Sequence, residues 1–296
     1  MGKHHGIVNY LSIDVEDYFH VSAFESISPP SSWPARELRV EKNTDKILSA
    51  LNSKSVKATF FVLGWVAEHC PDLVRRIASE GHEIASHGFG HQRVCNQSRN
   101  EFREDIRRSK MFLEDLSGHP VFGYRAPSYS ISRDTFWAFD ELCEAGYLYD
   151  SSIFPVRHDY YGISDWPRFT APAVKVSENV WQACEKANGG MSIMEVPIST
   201  LQIAGKNFPI AGGGYFRLLP YELTRFGLSQ INSKEKQSFV FYLHPWELDP
   251  KQPRMLGAGL KSNLRHYLNL HKTEDRFWRL LNDFRFGTIS SGLALG

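Results

Sequence analysis

Three carboxylates follow the first apolar run of the chain, in the segment Ser12-Ile13-Asp14-Val15-Glu16-Asp17. Asp14 and Glu16 are two positions apart, so they share one side of the chain wherever the backbone stays extended. Neighbouring carboxylates of this kind suit one metal ligand beside one general base. An isolated acidic cluster is equally typical of a solvated turn, and this segment alone does not separate the two interpretations.

Two histidines stand four positions apart in Ser86-His87-Gly88-Phe89-Gly90-His91. On a helical turn this spacing places both imidazoles on one face, where they can bind one divalent ion. The two intervening glycines favour an irregular turn instead, so the helical geometry is one of two alternatives. A histidine pair is often only a surface or core feature, but two histidines plus a carboxylate are the donor set of a hydrolytic metal site.

Two further segments carry candidate groups. Arg125 lies in Gly123-Tyr124-Arg125-Ala126-Pro127-Ser128-Tyr129, and His244 directly follows the apolar run that ends at Leu243. A histidine at the end of a buried strand can act as a general acid, because its ordinary pKa of about 6.5 allows proton transfer near neutral pH. The alternatives are a structural hydrogen bond for His244 and a surface ion pair for Arg125.

The elements that must position these groups alternate between short apolar runs and amphipathic stretches, which is typical of β/α units. Strands are predicted over residues 7–13, 58–63, 83–85, 121–124, 193–198 and 239–243. Helices are predicted over residues 44–54, 66–79, 99–116, 133–145, 220–231, 261–270 and 274–284, with Thr44 as a cap. All four candidate segments follow strands, and α/β enzymes place their sites at the carboxyl ends of strands.

This alternation predicts an α/β fold with a parallel sheet, either closed into a barrel or left open. Pro- and Gly-rich stretches at 28–34, 171–172 and 212–214 are interpreted as surface loops. No linker or internal repeat divides the chain, so we expect a single domain over residues 1–296. Its last part, from about residue 253, is predicted to be a helical extension without a chemical signal.

Composition excludes several classes of function. Lys and Arg total 34 against 33 Asp and Glu, and this formal net charge of +1 gives no field that would hold a nucleic acid. The 4 cysteines form no CxxC pair, and neither a secretory signal nor an apolar run of about 18 residues is present. We therefore expect a reduced, cytoplasmic protein without a transmembrane segment, and the sequence leaves homo-oligomerisation open.

The order of these motifs resembles that of the polysaccharide deacetylases, the NodB-homology group or carbohydrate esterase family 4. The resemblance extends from about residue 7 to residue 247, and its most specific part is the segment of His87 and His91. Within the family, the chain is most similar to bacterial members without a signal peptide that are associated with exopolysaccharide biosynthesis. The segments that carry this likeness are Leu11 to His20, Gly146 to Ser152 and Leu243 to Glu247.

The resemblance implies a distorted (β/α) barrel with fewer than eight regular strands, for which we expect seven. It also implies one divalent metal ion, for which zinc is the expected identity. The implied metal ligands are Glu16, His87 and His91. The implied catalytic groups are Asp14 as general base, Arg125 as the group that orients it, His244 as general acid and Asp150 as the acid that steadies His244. Pro127, Tyr129 and Trp246 are expected to contact the substrate.

The chain departs from the usual family pattern at two places. Val15 follows Asp14 where the family commonly has a second aspartate, so Glu16 is assigned as the carboxylate ligand, with Asp17 and His20 left as alternatives. Ser128 stands where the family often has tyrosine, which displaces Tyr129 by one position.

The implied activity is metal-dependent removal of an N-acetyl group from an N-acetylated sugar or polysaccharide precursor. A backbone N–H near residues 127–129 would stabilise the oxyanion. One alternative is hydrolysis of a cyclic amide or imide, or deformylation, on the same scaffold. Another is a catalytically silent carbohydrate-binding protein. The aromatic residues that could form a stacking floor for a sugar, or simply complete the core, are Tyr129, Tyr160, Tyr161, Trp166 and Trp246.

Overall fold

The structure is a computed structural model that describes residues 6–158, 161–187 and 189–295. Its strands are β1 (Asn9–Val15), β2 (Thr59–Val62), β3 (Glu83–Ser86), β4 (Gly123–Tyr124), β5 (Tyr149–Asp150), β6 (Ala171–Ser177), β7 (Val180–Ala183), β8 (Ser192–Glu195), β9 (Thr200–Ile203), β10 (Lys206–Pro209), β11 (Val240–Leu243) and β12 (Phe286–Gly287).

Its α-helices are α1 (Val40–Ser53), α2 (Gly64–His69), α3 (Pro71–Ser79), α4 (Arg99–Ser117), α5 (Trp137–Glu144), α6 (Gly213–Leu218), α7 (Tyr221–Gln230), α8 (Leu260–Tyr267), α9 (Leu270–Asp283) and α10 (Ile289–Gly292). Short 3₁₀ turns include Pro127–Tyr129 and Pro245–Leu248. Within the described part of the chain, no helix combines the length and the apolar character needed to cross a bilayer.

Seven strands run parallel in the order β11-β1-β2-β3-β4-β5-β8. The two outer strands of this series are β8 and β11. On the side of β11 away from β1, the Val240 N–H donates at 2.7 Å to the hydroxyl of Ser199, which follows β8 in the chain. This hydrogen bond to a side chain stands where backbone hydrogen bonds between two strands would close a regular barrel. The predicted distorted (β/α) barrel of seven strands is therefore confirmed.

The central strands are buried on both faces, as parallel strands covered by helices must be. In β1, Leu11, Ile13 and Val15 are fully buried, and so are Phe60 and Phe61 of β2. Because the strands are parallel, their carboxyl ends meet at one edge of the barrel. The residues that follow β1, β3, β4 and β11 therefore come together in space.

Helix α1 begins one turn earlier than predicted, at Val40. The N-terminal N–H groups of Arg39 and Val40 donate to the carboxylate of Asp17, at 2.5 and 2.8 Å. This carboxylate, distant in sequence, takes the role that the prediction gave to Thr44, whose hydroxyl instead donates to the Val40 carbonyl within the helix. The predicted helix over residues 66–79 is two helices, because Pro71 begins a new one.

The prediction of a loop at residues 171–172 is wrong, since these residues open strand β6. Strand β6 pairs antiparallel with β8 and β7 and extends the sheet beyond the parallel series. Proline at the first positions of a strand is compatible with pairing, which the sequence interpretation did not allow for. The segment after residue 253 forms α8, α9 and α10, and it also returns to the barrel through β12, which pairs with β1.

Candidate active site

The candidate site is a cavity of about 450 Å³ at the carboxyl edge of the parallel strands. Asp14 and Glu16 enter it from the end of β1, His87 and His91 from the loop after β3, and His244 from the end of β11. Residues separated by 230 positions thus face one volume. Its remaining wall includes the segment after β4, several aromatic rings, helix α8 and residues 21–23.

Glu16, His87 and His91 form a cluster in which one ligand atom of each lies within 4.8 Å of the others. The His91 Nε2 atom lies 2.9 Å from Glu16 Oε2, yet this buried oxygen has no hydrogen-bond partner within the ranges the structure describes. A buried carboxylate oxygen this close to an imidazole nitrogen, without a well-aligned hydrogen bond between them, fits a cation that both groups would bind. The donor set also matches a zinc site with open positions.

The backbone around His87 selects the nitrogen that faces this cluster. His87 Nδ1 lies 2.8 Å from the Arg125 carbonyl oxygen, which can only accept, so Nδ1 carries the proton and Nε2 keeps its lone pair. Burial lowers the pKa of His87 to about 4; the charge of Asp14 opposes this shift, and the charge of His91 adds to it. The imidazole is therefore neutral near pH 7, as a metal ligand must be.

The loop from His87 to His91 is irregular, which confirms the alternative favoured by its glycines. Gly88 has φ +72°, and a Cβ atom there would come 2.8 Å from a carboxylate oxygen of Asp105. That carboxylate accepts hydrogen bonds from the N–H groups of Phe89 and Gly90, at 2.8 and 3.1 Å. Asp105 of α4 therefore holds the loop in shape. No local sequence signal identifies this role.

Asp17 and His20, the alternative ligands, lie outside the cluster. The Asp17 carboxylate is occupied by the N-terminus of α1, and burial raises its pKa to about 6 despite these hydrogen bonds. His20 accepts a hydrogen bond from the Asp17 N–H, and its ring centroid lies 6.4 Å from that of His91. Glu16 is thus the carboxylate that the fold places beside the two histidines.

Arg125 is fully buried and directs its guanidinium at Asp14. Its Nη1 donates to Asp14 Oδ1 at 2.5 Å and to the Ser12 hydroxyl at 2.9 Å, while Nη2 donates to the Ser151 hydroxyl at 2.9 Å. The guanidinium also lies 4.0 Å above the ring of Phe61. A guanidinium fixed on several sides holds one oxygen of Asp14 in place and leaves the other, Oδ2, on the side of His244, 3.9 Å from its Nε2.

His244 sits between two carboxylates. Its Nε2 lies 2.9 Å from Glu16 Oε1, and its Nδ1 lies 2.7 Å from Glu247 Oε1. Burial alone would lower the pKa of His244, but Glu16 and Glu247 outweigh burial and raise it to about 10. Glu247 itself accepts a hydrogen bond from buried Arg217 at 2.6 Å. The two carboxylates therefore orient the imidazole of His244 and favour its protonated form.

The prediction that Asp150 steadies His244 is wrong. Asp150 is fully buried at the end of β5, where it accepts hydrogen bonds from the hydroxyl and N–H of Ser152, at 2.6 and 3.0 Å. The Ser152 hydroxyl in turn accepts from the Ala126 N–H at 2.8 Å. Asp150 thus supports the backbone after β4. Glu247, three residues after His244 on a 3₁₀ turn that Pro245 begins, is the acid that contacts His244 Nδ1, and this spacing is the local sequence signal for the pair.

Of the three residues predicted to contact the substrate, two line the cavity and one does not. Tyr129 and Trp246 line the cavity, together with Tyr161 and Tyr242, whereas Pro127 is buried beneath its wall. Pro127 opens a tight turn in which Ser128 and Tyr129 both have positive φ, and this turn presents those two residues to the cavity instead. Trp166 packs in the core at 5.8 Å from the ring of Phe136, and Tyr160 lies outside the described residues.

Replacing Glu247 with glutamine tests this assignment. The substitution keeps the shape of the side chain but removes the charge that stabilises the imidazolium. We therefore expect the pKa of His244 to fall by about 1 to 3 pH units. In the wild type the ring stays protonated until the pH approaches about 10. An NMR titration of the metal-free protein measures this directly. Glu222→Gln, at an exposed position, is the control, and an unchanged His244 titration in Glu247→Gln would contradict the pairing.

Comparison with known proteins agrees with the geometry. Residues 32–147 match the family model described as polysaccharide deacetylase, and residues 151–294 match a domain of unknown function, DUF3473. A peptidoglycan-N-acetylglucosamine deacetylase of Bacillus cereus is 37% identical over 99 residues, which is 33% of this chain and 36% of that protein. The peptidoglycan deacetylase-like protein FGM2 of Gibberella zeae is 32% identical over 145 residues, 48% of this chain and 41% of that protein. The chain thus matches less than half the length of either relative.

Solved structures share the fold. A Mycobacterium smegmatis protein assigned as a polysaccharide deacetylase superposes with a TM-score of 0.56 at 17% identity, over 98% of this chain and 93% of that one. A family 4 carbohydrate esterase from Streptomyces lividans gives a TM-score of 0.50 at 13% identity, over 97% and 95% of the two chains. Fold and site together define an α/β-barrel protein with a His–His–carboxylate cluster at the carboxyl edge of its strands. Residues 32–147 are thus similar to the polysaccharide deacetylases, and the chain shares the fold of these solved structures.

Proposed function

We propose that this protein is a metal-dependent hydrolase that removes the N-acetyl group from an N-acetylated sugar or polysaccharide precursor. The observation that carries the proposal is the position of Asp14. One of its oxygens is held by Arg125, and the other faces His244 beside the three-donor cluster, inside a cavity of about 450 Å³. A base, an acid and a cation site around one space are what amide hydrolysis requires.

Glu16, His87 and His91 would hold the ion, and this donor set suits zinc. A bound divalent metal supplies Lewis acidity toward the acyl carbonyl and lowers the pKa of water, so that a nucleophile forms at neutral pH.

The chain's own groups then divide the proton transfers. Asp14 removes a proton from the attacking water through the oxygen that Arg125 does not hold. The C–N bond breaks as His244 delivers a proton from Nε2 to the leaving nitrogen, and Glu247, which contacts Nδ1 at 2.7 Å, favours the protonated ring. The products are acetate and an amino sugar.

The turn after β4 would stabilise the oxyanion. Pro127 has no N–H, and the Tyr129 N–H donates to the Ala126 carbonyl at 3.0 Å, which leaves the N–H of Ser128 for this role. The rings of Tyr129, Tyr161 and Trp246 form apolar walls on which a sugar can stack. The association with exopolysaccharide biosynthesis and the cytoplasmic location stay predictions.

Acetate release from N-acetylglucosamine oligomers, measured with zinc-loaded protein, tests the proposal. We expect turnover of these oligomers and none of small cyclic amides or N-formyl sugars. Ring opening or formate release without acetate release would replace the proposal with the alternative hydrolase. Protein that binds oligomers but hydrolyses none of these compounds would favour a carbohydrate-binding role.

A further inference from the structure

Helix α8 forms one side of the cavity mouth and brings chemistry that deacetylation itself does not use. Lys261, Ser262 and Arg265 of this helix line the cavity. They lie in the part of the chain that matches a domain of unknown function. Any ligand that extends out of the cavity on this side must pass two cationic side chains.

These two cations have no acidic partner among the residues that the structure describes. Lys261 and Arg265 are exposed, and neither forms an ion pair with any residue that the structure describes. Arg93, the third basic residue of the cavity, pairs with Glu25 at 2.9 Å and is thereby occupied. Guanidinium and ammonium groups at the mouth of a cavity attract an anion, and phosphate is one of the groups that they bind well.

The helix that carries these cations is fixed to the catalytic groups. Arg217 donates through Nη1 to the carbonyl oxygens of Arg265, His266 and Leu268, at 2.9, 2.7 and 3.1 Å. Its Nε donates to Glu247, the partner of His244. The His266 ring stacks on Trp246 with a centroid distance of 4.2 Å. The distance from the cations to the site of hydrolysis is therefore set by buried contacts.

An apolar stripe continues outward from the cations. Leu260 and Leu264 are 90% and 66% exposed, and Leu256, just before the helix, is 87% exposed. At about 100° per residue, the stripe of Leu260 and Leu264 is adjacent to that of Lys261 and Arg265 and lies away from buried His266. Grouped exposed leucines beside a cavity indicate an interaction surface for an apolar ligand.

We propose that the substrate is an N-acylated amino sugar joined through a phosphate or diphosphate to a lipid chain. This inference rests on the proposed function and names its substrate class. The sugar occupies the cavity, the phosphate groups contact Lys261 and Arg265, and the first part of the lipid chain lies on Leu260 and Leu264. The order of sugar, anion and hydrocarbon in such a molecule follows the order of polar cavity, cations and leucines on the protein. A nucleotide-linked sugar satisfies the cations but leaves the leucines without a partner.

Three substrates separate the contributions of the sugar, the phosphate groups and the lipid chain when acetate release is measured with zinc-loaded protein. They are the methyl glycoside of N-acetylglucosamine, uridine diphosphate N-acetylglucosamine and N-acetylglucosamine linked through a diphosphate to farnesol. We expect the farnesyl compound to have the lowest KM. Lys261→Gln combined with Arg265→Gln should raise the KM of both diphosphates by about 10-fold or more, and leave the methyl glycoside unchanged.

Leu260→Ser combined with Leu264→Ser should raise the KM of the farnesyl compound alone, by about 10-fold. The controls are Lys272→Gln on α9 and Leu223→Ser on α7, which are exposed and lie outside the cavity lining. Equal KM values for the two diphosphates would overturn the lipid assignment. Turnover of the methyl glycoside with no advantage for either diphosphate would overturn the whole inference while the proposed function stands. No acetate from any of the three would overturn the proposed function itself.

Discussion

Replacing Asp14 with asparagine is expected to abolish measurable turnover while the protein stays folded and keeps its metal. The substitution preserves the shape of the side chain and an oxygen for the hydrogen bond from Arg125. It removes the group that accepts the proton of the attacking water, and general bases contribute about 10²- to 10⁴-fold to rate. The loss should appear in kcat, with KM little changed.

The measurement is kcat for acetate release, alongside metal content and the thermal unfolding midpoint. Asp115→Asn, an exposed position on α4, is the matched control and should behave as wild type. A near-wild-type rate in Asp14→Asn would show that another group is the base. Loss of metal in that variant would instead indicate that Asp14 is a ligand, since Asp14 and Glu16 are close neighbours in the same cavity.

Removal of the metal is expected to have an effect of similar size. A chelator should abolish acetate release, and added zinc should restore it, because the chain's own acid and base cannot polarise the carbonyl in the same way. Loss of a group that only hydrogen-bonds to a metal ligand weakens metal binding by about 10- to 100-fold. His87→Ala should weaken it by more, since it removes one of three donors.

Metal content by plasma mass spectrometry, measured together with activity, tests this second expectation. His119→Ala, at an exposed position after α4, is the control and should retain the ion. Full activity in protein shown to be free of metal would exclude the proposed role of Glu16, His87 and His91. A metal-free wild type that chelator leaves unaffected would favour the binding-protein alternative.

The two expectations are linked through the backbone after β4. The Arg125 carbonyl fixes the tautomer of His87, while the Arg125 guanidinium fixes Asp14. One residue therefore orients both the proposed metal ligand His87 and the proposed base Asp14. Asp150 supports the same backbone through Ser152 and the Ala126 N–H, which gives a physical reason for a fully buried carboxylate at this position.

The sequence by itself determined those features that arise from local pattern. Apolar runs alternating with amphipathic stretches predicted an α/β fold with a parallel sheet, because neighbouring residues determine the periodicity of burial. The closed barrel was implied only by the resemblance to a known family. Carboxylates and histidines that directly follow strands predicted the edge where Asp14, Glu16, His87 and His244 meet, because parallel strands all end on one side.

Only the tertiary structure determined which carboxylates face the histidines and which ones stabilise the backbone. Asp17 and Glu16 are adjacent in sequence, yet one receives the N–H groups of α1 and the other faces the histidines. Asp105, Arg217 and the cations of α8 act on residues far away in the chain, so no spacing rule identifies them. Their roles depend on long-range packing, which sets the distances and the burial from which hydrogen bonds and pKa values follow.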